Sequence, residues 1–191
     1  MPKGIPRYLI LIRWICFFTL SGLVPCFALA GGIPATGSYL PDLKIEAPAS
    51  EKDREYLGIV GDTGTFSIKQ VNSPYTLIEI VGVYCPKCHA QAPLFNKLFY
   101  RLKKAPALFE KIRMLAIAAG ANSTEVDYMK KEFSIPFPVV KDPRFEIHKS
   151  LGEPRTPFTM IVSKDGKVVF AHLGVIKDID NFFLRIMKLD K

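Results

Sequence analysis

Two kinds of apolar pattern alternate along the middle of the chain. Residues 75–83 and 112–118 are nearly continuous apolar runs, which are typical of strands buried on both faces of a sheet. Between these runs, Leu94, Leu98 and Leu102 recur at the spacing of one helix face. A buried strand, a helix and a second buried strand in this order predict a β-α-β unit with parallel strands.

The same patterns predict further elements on both sides of this unit. Asp165-Gly166 between two apolar runs is a strong signal for a β-hairpin. Asp178 precedes an amphipathic run and is suited to cap a C-terminal helix. The other predicted elements are a strand over residues 65–71, a helix from 122 to about 133, an extended piece at 137–140, a helix from 142 to 151 and the hairpin strands 158–162 and 167–172.

The first 30 residues have the composition of an export signal. Basic residues precede an apolar run over residues 14–24, and Ala28 and Ala30 supply the small residues of a cleavage site after Ala30. The alternative is an uncleaved membrane anchor, although Arg13 interrupts the longer apolar stretch. Both interpretations predict an exported protein in the periplasm or cell envelope.

The rest of the chain is long enough for one domain. Residues 31–50 are rich in Pro, Gly, Ala and Ser, which predicts a spacer before a domain over residues 51–191. The net charge is +8, but three of the 26 basic residues lie in the leader, so residues 31–191 carry 23 basic and 18 acidic residues, a net charge of +5. Because this surplus is spread along the chain, we expect no nucleic-acid partner.

The cysteines suggest chemistry rather than a disulfide scaffold. Cys16 and Cys26 lie in the leader, so Cys85 and Cys88 are the only cysteines of the predicted mature domain. A C-x-x-C motif between a buried strand and a helix is the context of thioredoxin-like redox chemistry. The free N–H groups and dipole of a helix N-terminus favour the Cys85 thiolate, which we expect to be the attacking thiol. Cys88, one turn inside, would be the buried resolving thiol.

The order of the parts resembles the thioredoxin fold in its secreted bacterial form. Pro93 lies five residues after Cys88, where thioredoxins place a helix proline. Glu79 lies six residues before Cys85, where thioredoxins carry a buried acid. The segment 155–158, just before a predicted hairpin, resembles the loop that holds the family's cis-proline. The resemblance implies an α/β protein, with a central mixed β-sheet flanked by helices.

The likeness covers about residues 40–190 and extends to a subgroup of the family. Residues 137–142 match a segment typical of the secreted reductases that serve cytochrome c maturation. Tyr84 stands where the family usually has Trp, and Pro86-Lys87 replaces Gly-Pro between the cysteines. The intervening dipeptide tunes the redox potential, so the direction of electron flow stays open, with a reductase as our expectation.

The resemblance assigns roles to three further residues. Burial should raise the pKa of Glu79 and let it take the proton of Cys88. If the Thr156-Pro157 bond is cis, Pro157 packs against the disulfide and the Thr156 backbone can pair with an extended substrate segment. We therefore expect cysteine-containing client proteins and a membrane redox protein that resets the site. The cysteines carry the electrons, so no cofactor or metal is required.

Two other classes of protein remain as alternatives. Cys85-Pro86-Lys87-Cys88-His89 also spells C-x-x-C-H, the attachment motif of c-type haem, although here it directly follows a buried strand. A copper-carrying module of the same fold would use Cys85 and Cys88 with His148 or His172 as ligands.

Overall fold

The computed structural model describes residues 32–59, 61 and 64–189. The predicted signal peptide or anchor lies outside this part of the chain. No helix within the described residues is long and apolar enough to cross a membrane.

The elements, in chain order, are seven strands and six α-helices in the described part of the chain. They are β1 (Ile45–Glu46), α1 (Glu51–Leu57), β2 (Thr65–Phe66), β3 (Tyr75–Val81), α2 (Pro86–Lys103), α3 (Pro106–Lys111), β4 (Ile112–Ala119), α4 (Ser123–Glu132), β5 (Val139–Asp142), α5 (Glu146–Ser150), β6 (Phe158–Ser163), β7 (Val168–Leu173) and α6 (Ile179–Ile186).

Five of the strands form a mixed sheet in the order β5-β4-β3-β6-β7. The central strand β3 is parallel to β4 and antiparallel to β6, and β6 and β7 form the predicted hairpin. The strands β3 and β4 and the helix α2 between them therefore form the β-α-β unit that the apolar runs predict.

Helices cover both faces of the sheet. Side chains of α2, α4 and α6 pack with one face, whereas α1, α5 and residues 43–45 pack against the other. Alternation along β3 sends Leu77 and Val81 towards α2 and Ile78 and Ile80 to the opposite face. By this alternation Glu79 lies on the face that α2 covers.

The N-terminal region differs from the predicted spacer. The Gly37 N–H donates to the Val168 carbonyl at 2.8 Å, and β1 pairs with β2. Leu43 and Ile45 are buried in the core. Their alternation with Lys44 and Glu46 is a strand pattern, and it outweighs the Pro and Gly content on which the prediction of a spacer rested.

Two other predicted elements are shorter in the structure. The strand predicted over 65–71 ends at Phe66, because the Gln70 side chain accepts a hydrogen bond from the Ser67 N–H and closes a 3-10 turn over Ile68–Gln70. The helix predicted from residue 142 begins only at Glu146, because Phe145 has a left-handed backbone with φ of 58°.

Candidate active site

The two cysteines lie where β3 ends and α2 begins. Cys85 has an extended backbone and is the N-cap residue of α2, and Pro86 occupies the first helical position, where the missing N–H costs nothing. Both cysteines are free thiols. Cys85 is partly exposed, whereas Cys88 is 1% exposed. Only one of the two sulfur atoms therefore faces solvent.

Hydrogen bonds favour the thiolate form of Cys85. Burial alone would raise its pKa, but hydrogen bonds from the Thr156 and Cys88 side chains and from the backbone N–H groups of Cys88 and Lys87 lower the pKa below its usual 9.0. Lys87 thus acts through its backbone. The Cys85 thiol also donates to the Thr156 carbonyl oxygen at 3.5 Å, a contact that favours the thiol form instead. These backbone donors lie in the first turn of α2, where the helix dipole also favours a negative charge.

The environment of Cys88 has the opposite effect. Burial raises the pKa of the Cys88 thiol to about 12, although the Gly82 N–H lies 3.5 Å from its sulfur and favours the thiolate. At neutral pH, Cys88 is therefore protonated. It needs a base before it can act as a nucleophile.

Glu79 is a carboxyl group inside the core. It is 4% exposed, and burial raises its pKa from 4.5 to about 7, while a hydrogen bond from Gln91 acts in the opposite direction. Its partner in β6 is Thr159 and its partner in β4 is Ala116. A carboxyl group with this pKa exchanges a proton readily near neutral pH.

The loop before β6 completes the site. The Thr156-Pro157 peptide bond is cis, Pro157 is buried and Thr156 is partly exposed. Since β6 runs antiparallel to β3, the start of β6 lies at the same edge of the sheet as the end of β3. This pairing places Thr156 beside the Cys85 sulfur, although the two residues are 71 positions apart in sequence.

Gly82 and Gln91 belong to the site but were not predicted from the sequence. A Cβ atom at Gly82 would lie 3.3 Å from the Cys85 Cβ and 3.4 Å from the Thr156 Oγ1. Gln91 is buried and contacts Glu79. The sequence offered two signals for these residues, namely a glycine inside an apolar run and an amide on the buried face of a helix.

The histidines do not favour the haem or copper alternatives. The His89 Nε2 lies 2.6 Å from the Val83 carbonyl oxygen, and its ring stacks on Phe133 at 4.5 Å between centroids. His148 contacts the Pro154 carbonyl at 3.0 Å. Within residues 32–59 and 64–189, no three His, Cys, Asp or Glu side chains are grouped to hold a metal ion. His148 and His172 are thus not brought together with the cysteines.

Tyr84 forms part of the exposed rim beside Cys85. Its side chain is 75% exposed, and its hydroxyl donates to the Glu125 Oε1 at 3.0 Å. This hydrogen bond raises the pKa of Tyr84. An aromatic ring at this position offers an apolar surface to any chain that approaches the sulfur.

Comparison with known proteins finds a matching family profile and several curated relatives. The profile of the Redoxin family matches residues 35–182. The thiol-disulfide oxidoreductase ResA of Bacillus thuringiensis subsp. konkukian (strain 97-27) is 26% identical over 102 residues, which are 53% of this chain and 56% of the relative. The chain thus spans about half the length of the curated relatives it matches.

Solved structures confirm the predicted thioredoxin fold. The thioredoxin domain of a thiol-disulfide oxidoreductase from Bacteroides vulgatus has a TM-score of 0.60 and 16% identity, covering 82% of this chain and 99% of that one. A secreted Mycobacterium tuberculosis disulfide oxidoreductase homologous to E. coli DsbE has a TM-score of 0.57 and 14% identity, covering 78% of this chain and 96% of that one.

Proposed function

The chain belongs to the Redoxin family, and from this premise we propose that it is a thiol–disulfide oxidoreductase acting on cysteine pairs of client proteins. The observation that carries the proposal is the difference between its two thiols. Cys85 is partly exposed with a lowered pKa, and Cys88 is buried with a pKa raised to about 12. This is the arrangement that an attacking thiol and a resolving thiol require.

In the reducing direction, the Cys85 thiolate attacks one sulfur of a client disulfide. The client S–S bond breaks, a mixed disulfide forms between Cys85 and the client, and the first client sulfur leaves as a thiolate that takes up a proton. Cys88 then gives up its proton and attacks the Cys85 sulfur. A Cys85–Cys88 disulfide forms as the mixed disulfide breaks, and the second client sulfur leaves as a thiolate that takes up a proton. Two electrons have then passed from the cysteine pair to the client.

Glu79 is the proposed base for the second step. The Cys88 thiol is protonated at neutral pH and lies in the core, where a solvent base has little access. Glu79 is the buried acid that β3 directs towards the helix carrying Cys88, and its pKa of about 7 suits both uptake and release of a proton. When the site is reset, Cys88 is released as a thiolate and takes the proton back from Glu79.

The loop at Thr156 and Pro157 is the proposed binding site for the client backbone. The Thr156 carbonyl lies 3.5 Å from the Cys85 sulfur, so a segment pairing with Thr156 would carry its own cysteine to the thiolate. The exposed Tyr84 ring would add apolar contact on the rim.

The proposed setting is the periplasm or cell envelope, with a role as a reductase in cytochrome c maturation. The export signal predicted in the leader supports this location, as do a relative named ResA and a secreted structural neighbour homologous to DsbE. A reductase needs a source of two electrons for each cycle, and a membrane redox protein is the proposed partner. The leader, if retained, would anchor the chain beside that partner.

The proposal is tested by changing each sulfur separately. Cys85→Ser should reduce insulin reduction to the uncatalysed rate, because a hydroxyl cannot form the attacking thiolate. Cys88→Ser should instead accumulate a mixed disulfide with an oxidised client peptide, visible by mass under non-reducing conditions. Ala90→Ser, which adds a hydroxyl at an exposed position on the same helix, is the matched control and should keep wild-type activity. Full turnover by Cys85→Ser would contradict the proposed function.

A further inference from the structure

Gln91 links three separate segments inside the core. It is 0% exposed, although it lies on the helix face that otherwise carries apolar side chains. Its Nε2 donates to the Glu79 Oε1 at 2.5 Å and lies 3.4 Å from the Thr159 Oγ1. Its Oε1 accepts from the Ile176 backbone N–H at 2.8 Å. A buried amide with partners on both of its polar atoms is a specific arrangement, because an unpaired one would be costly.

The Ile176 contact fixes the direction of the amide. A backbone N–H can only donate, so the oxygen of the Gln91 amide must face Ile176. The nitrogen must then face Glu79. A flipped amide would place two donors against each other at Ile176. The Gln91 Nε2 therefore meets the carboxyl group only as a donor.

From this geometry we propose that Gln91 is a positioning residue that holds Glu79 through Oε1 and confines its exchangeable proton to the other oxygen, Oε2. The amide nitrogen cannot accept a proton, so a hydrogen on Oε1 would point at an N–H group. When Glu79 is ionised, Oε1 accepts from Gln91. When Glu79 is protonated on Oε2, Oε1 is the carbonyl oxygen and accepts the same bond. The hydrogen bond thus survives both states.

This inference rests on the proposed function only for its consequence in catalysis. If Glu79 takes the proton of Cys88, the proton arrives at Oε2 while Oε1 stays held by Gln91. The carboxyl group then needs no rotation between uptake and release. Gln91 also opposes the effect of burial on the carboxylate, and these two influences together set the Glu79 pKa.

The first test uses the unmodified reduced protein and needs no client. Side-chain amide signals of Gln91 and the carboxyl carbon of Glu79 are followed by NMR while the pH is raised through about 7. We expect the Gln91 NH2 signals to shift with the same midpoint as the Glu79 carboxyl. Asn96 on the same helix donates to the Phe133 and Ser134 carbonyls instead, and its amide signals should not follow that midpoint. The Gln91 shift should vanish in Glu79→Gln.

The second test removes the donor. Gln91→Met keeps a similar side-chain volume but cannot donate, so the Glu79 midpoint should rise by roughly one pH unit. The rate at which Cys88 resolves a mixed disulfide should show the same upward shift in its pH profile, which a merely structural role would not produce. Asn96→Leu, which removes an amide that does not contact Glu79 and adds no charge, should leave the midpoint where it is in the wild type.

Gln91→Glu serves as a second variant if Gln91→Met does not fold. The carboxylate introduced by this change can still accept from the Ile176 N–H, and two carboxyl groups in contact should titrate in two coupled steps instead of one. A Gln91 amide signal that stays flat while Glu79 titrates, or a single unshifted titration in these variants, would overturn the inference. Full turnover by Cys85→Ser would overturn the proposed function alone, because the titrations are measured without a client.

Discussion

The buried carboxyl group of Glu79 links the stability of the folded chain to pH. The folded chain keeps this proton up to a pH of about 7, whereas an unfolded chain releases it near 4.5. The folded state therefore binds more protons between these values, and the free energy of unfolding falls as the pH rises from 4.5 to 7. This shift corresponds to a loss of about 3 kcal/mol.

Glu79→Gln should abolish that dependence, because the amide has no proton to release in this range. Urea unfolding of the wild type and the variant is compared at pH values below 4.5 and above 7. The difference between the two proteins should change by about 3 kcal/mol between these conditions. Glu132→Gln removes an exposed carboxyl group and should follow the wild type. A Glu79→Gln profile parallel to that of the wild type would mean that Glu79 titrates normally in the fold.

Gly82 is a second residue whose substitution should have a measurable effect. The Cβ of Gly82→Ala would lie 3.3 Å from the Cys85 Cβ and 3.4 Å from the Thr156 Oγ1, closer than most carbon contacts. We expect Cys85 and Thr156 to separate, which weakens the hydrogen bond from Thr156 that favours the thiolate. The Cys85 pKa should then rise towards 9.0.

The pH dependence of Cys85 alkylation by iodoacetamide measures this change. The midpoint should move up in Gly82→Ala and stay unchanged in Gly64→Ala, since a Cβ at Gly64 meets no atom within 4 Å. An unchanged midpoint in Gly82→Ala would show that the thiolate does not depend on the close approach of Thr156.

At the level of elements, α2 combines two functions in one segment. Its N-terminal turn presents Cys85 and supplies N–H groups to the sulfur, while its buried face holds Cys88 and Gln91. The first turn acts on the partly exposed Cys85 sulfur, and the buried face acts on the protons of Cys88 and Glu79. One helix therefore sets the properties of both thiols.

The short strand β1 and the residues before it contribute to stability, contrary to the prediction of a spacer. Ile45 is 0% exposed, so Ile45→Ala should lower the free energy of unfolding by about 2–5 kcal/mol. Ile33→Ala changes the same type of residue at a position that is 43% exposed and should have little effect. Equal, small effects of both variants in urea unfolding would support a spacer after all.

For the whole molecule, the sequence predicted those features that depend on local patterns. The apolar runs of β3 and β4, the Asp165-Gly166 hairpin and the cap at Asp178 each lie within a few residues, and all four are present. The cysteine pair was also predictable, because the strand and helix that hold it are adjacent in the chain.

The features that were not predicted depend on contacts between distant segments of the chain. Gln91 acquires its partners from Glu79, Thr159 and Ile176, and no pattern within α2 indicates which segments will meet there. Packing of residues 37–46 was missed for the same reason, since their partners lie on strands formed later in the chain. Tertiary contacts, and not local composition, determine the structure of these segments.

Residues 37–40 also lie beside β7, the outermost strand of the sheet. The Gly37 N–H and the Val168 carbonyl pair at 2.8 Å, the Val168 N–H and the Ser38 carbonyl at 2.8 Å, and Tyr39 bridges to Lys167. An uncovered outer strand has unpaired backbone N–H and C=O groups, which can form hydrogen bonds with the same strand of another molecule. This stretch therefore shields the start of β7 from self-association, and a protease that trimmed the chain past Leu40 would leave a surface prone to aggregation.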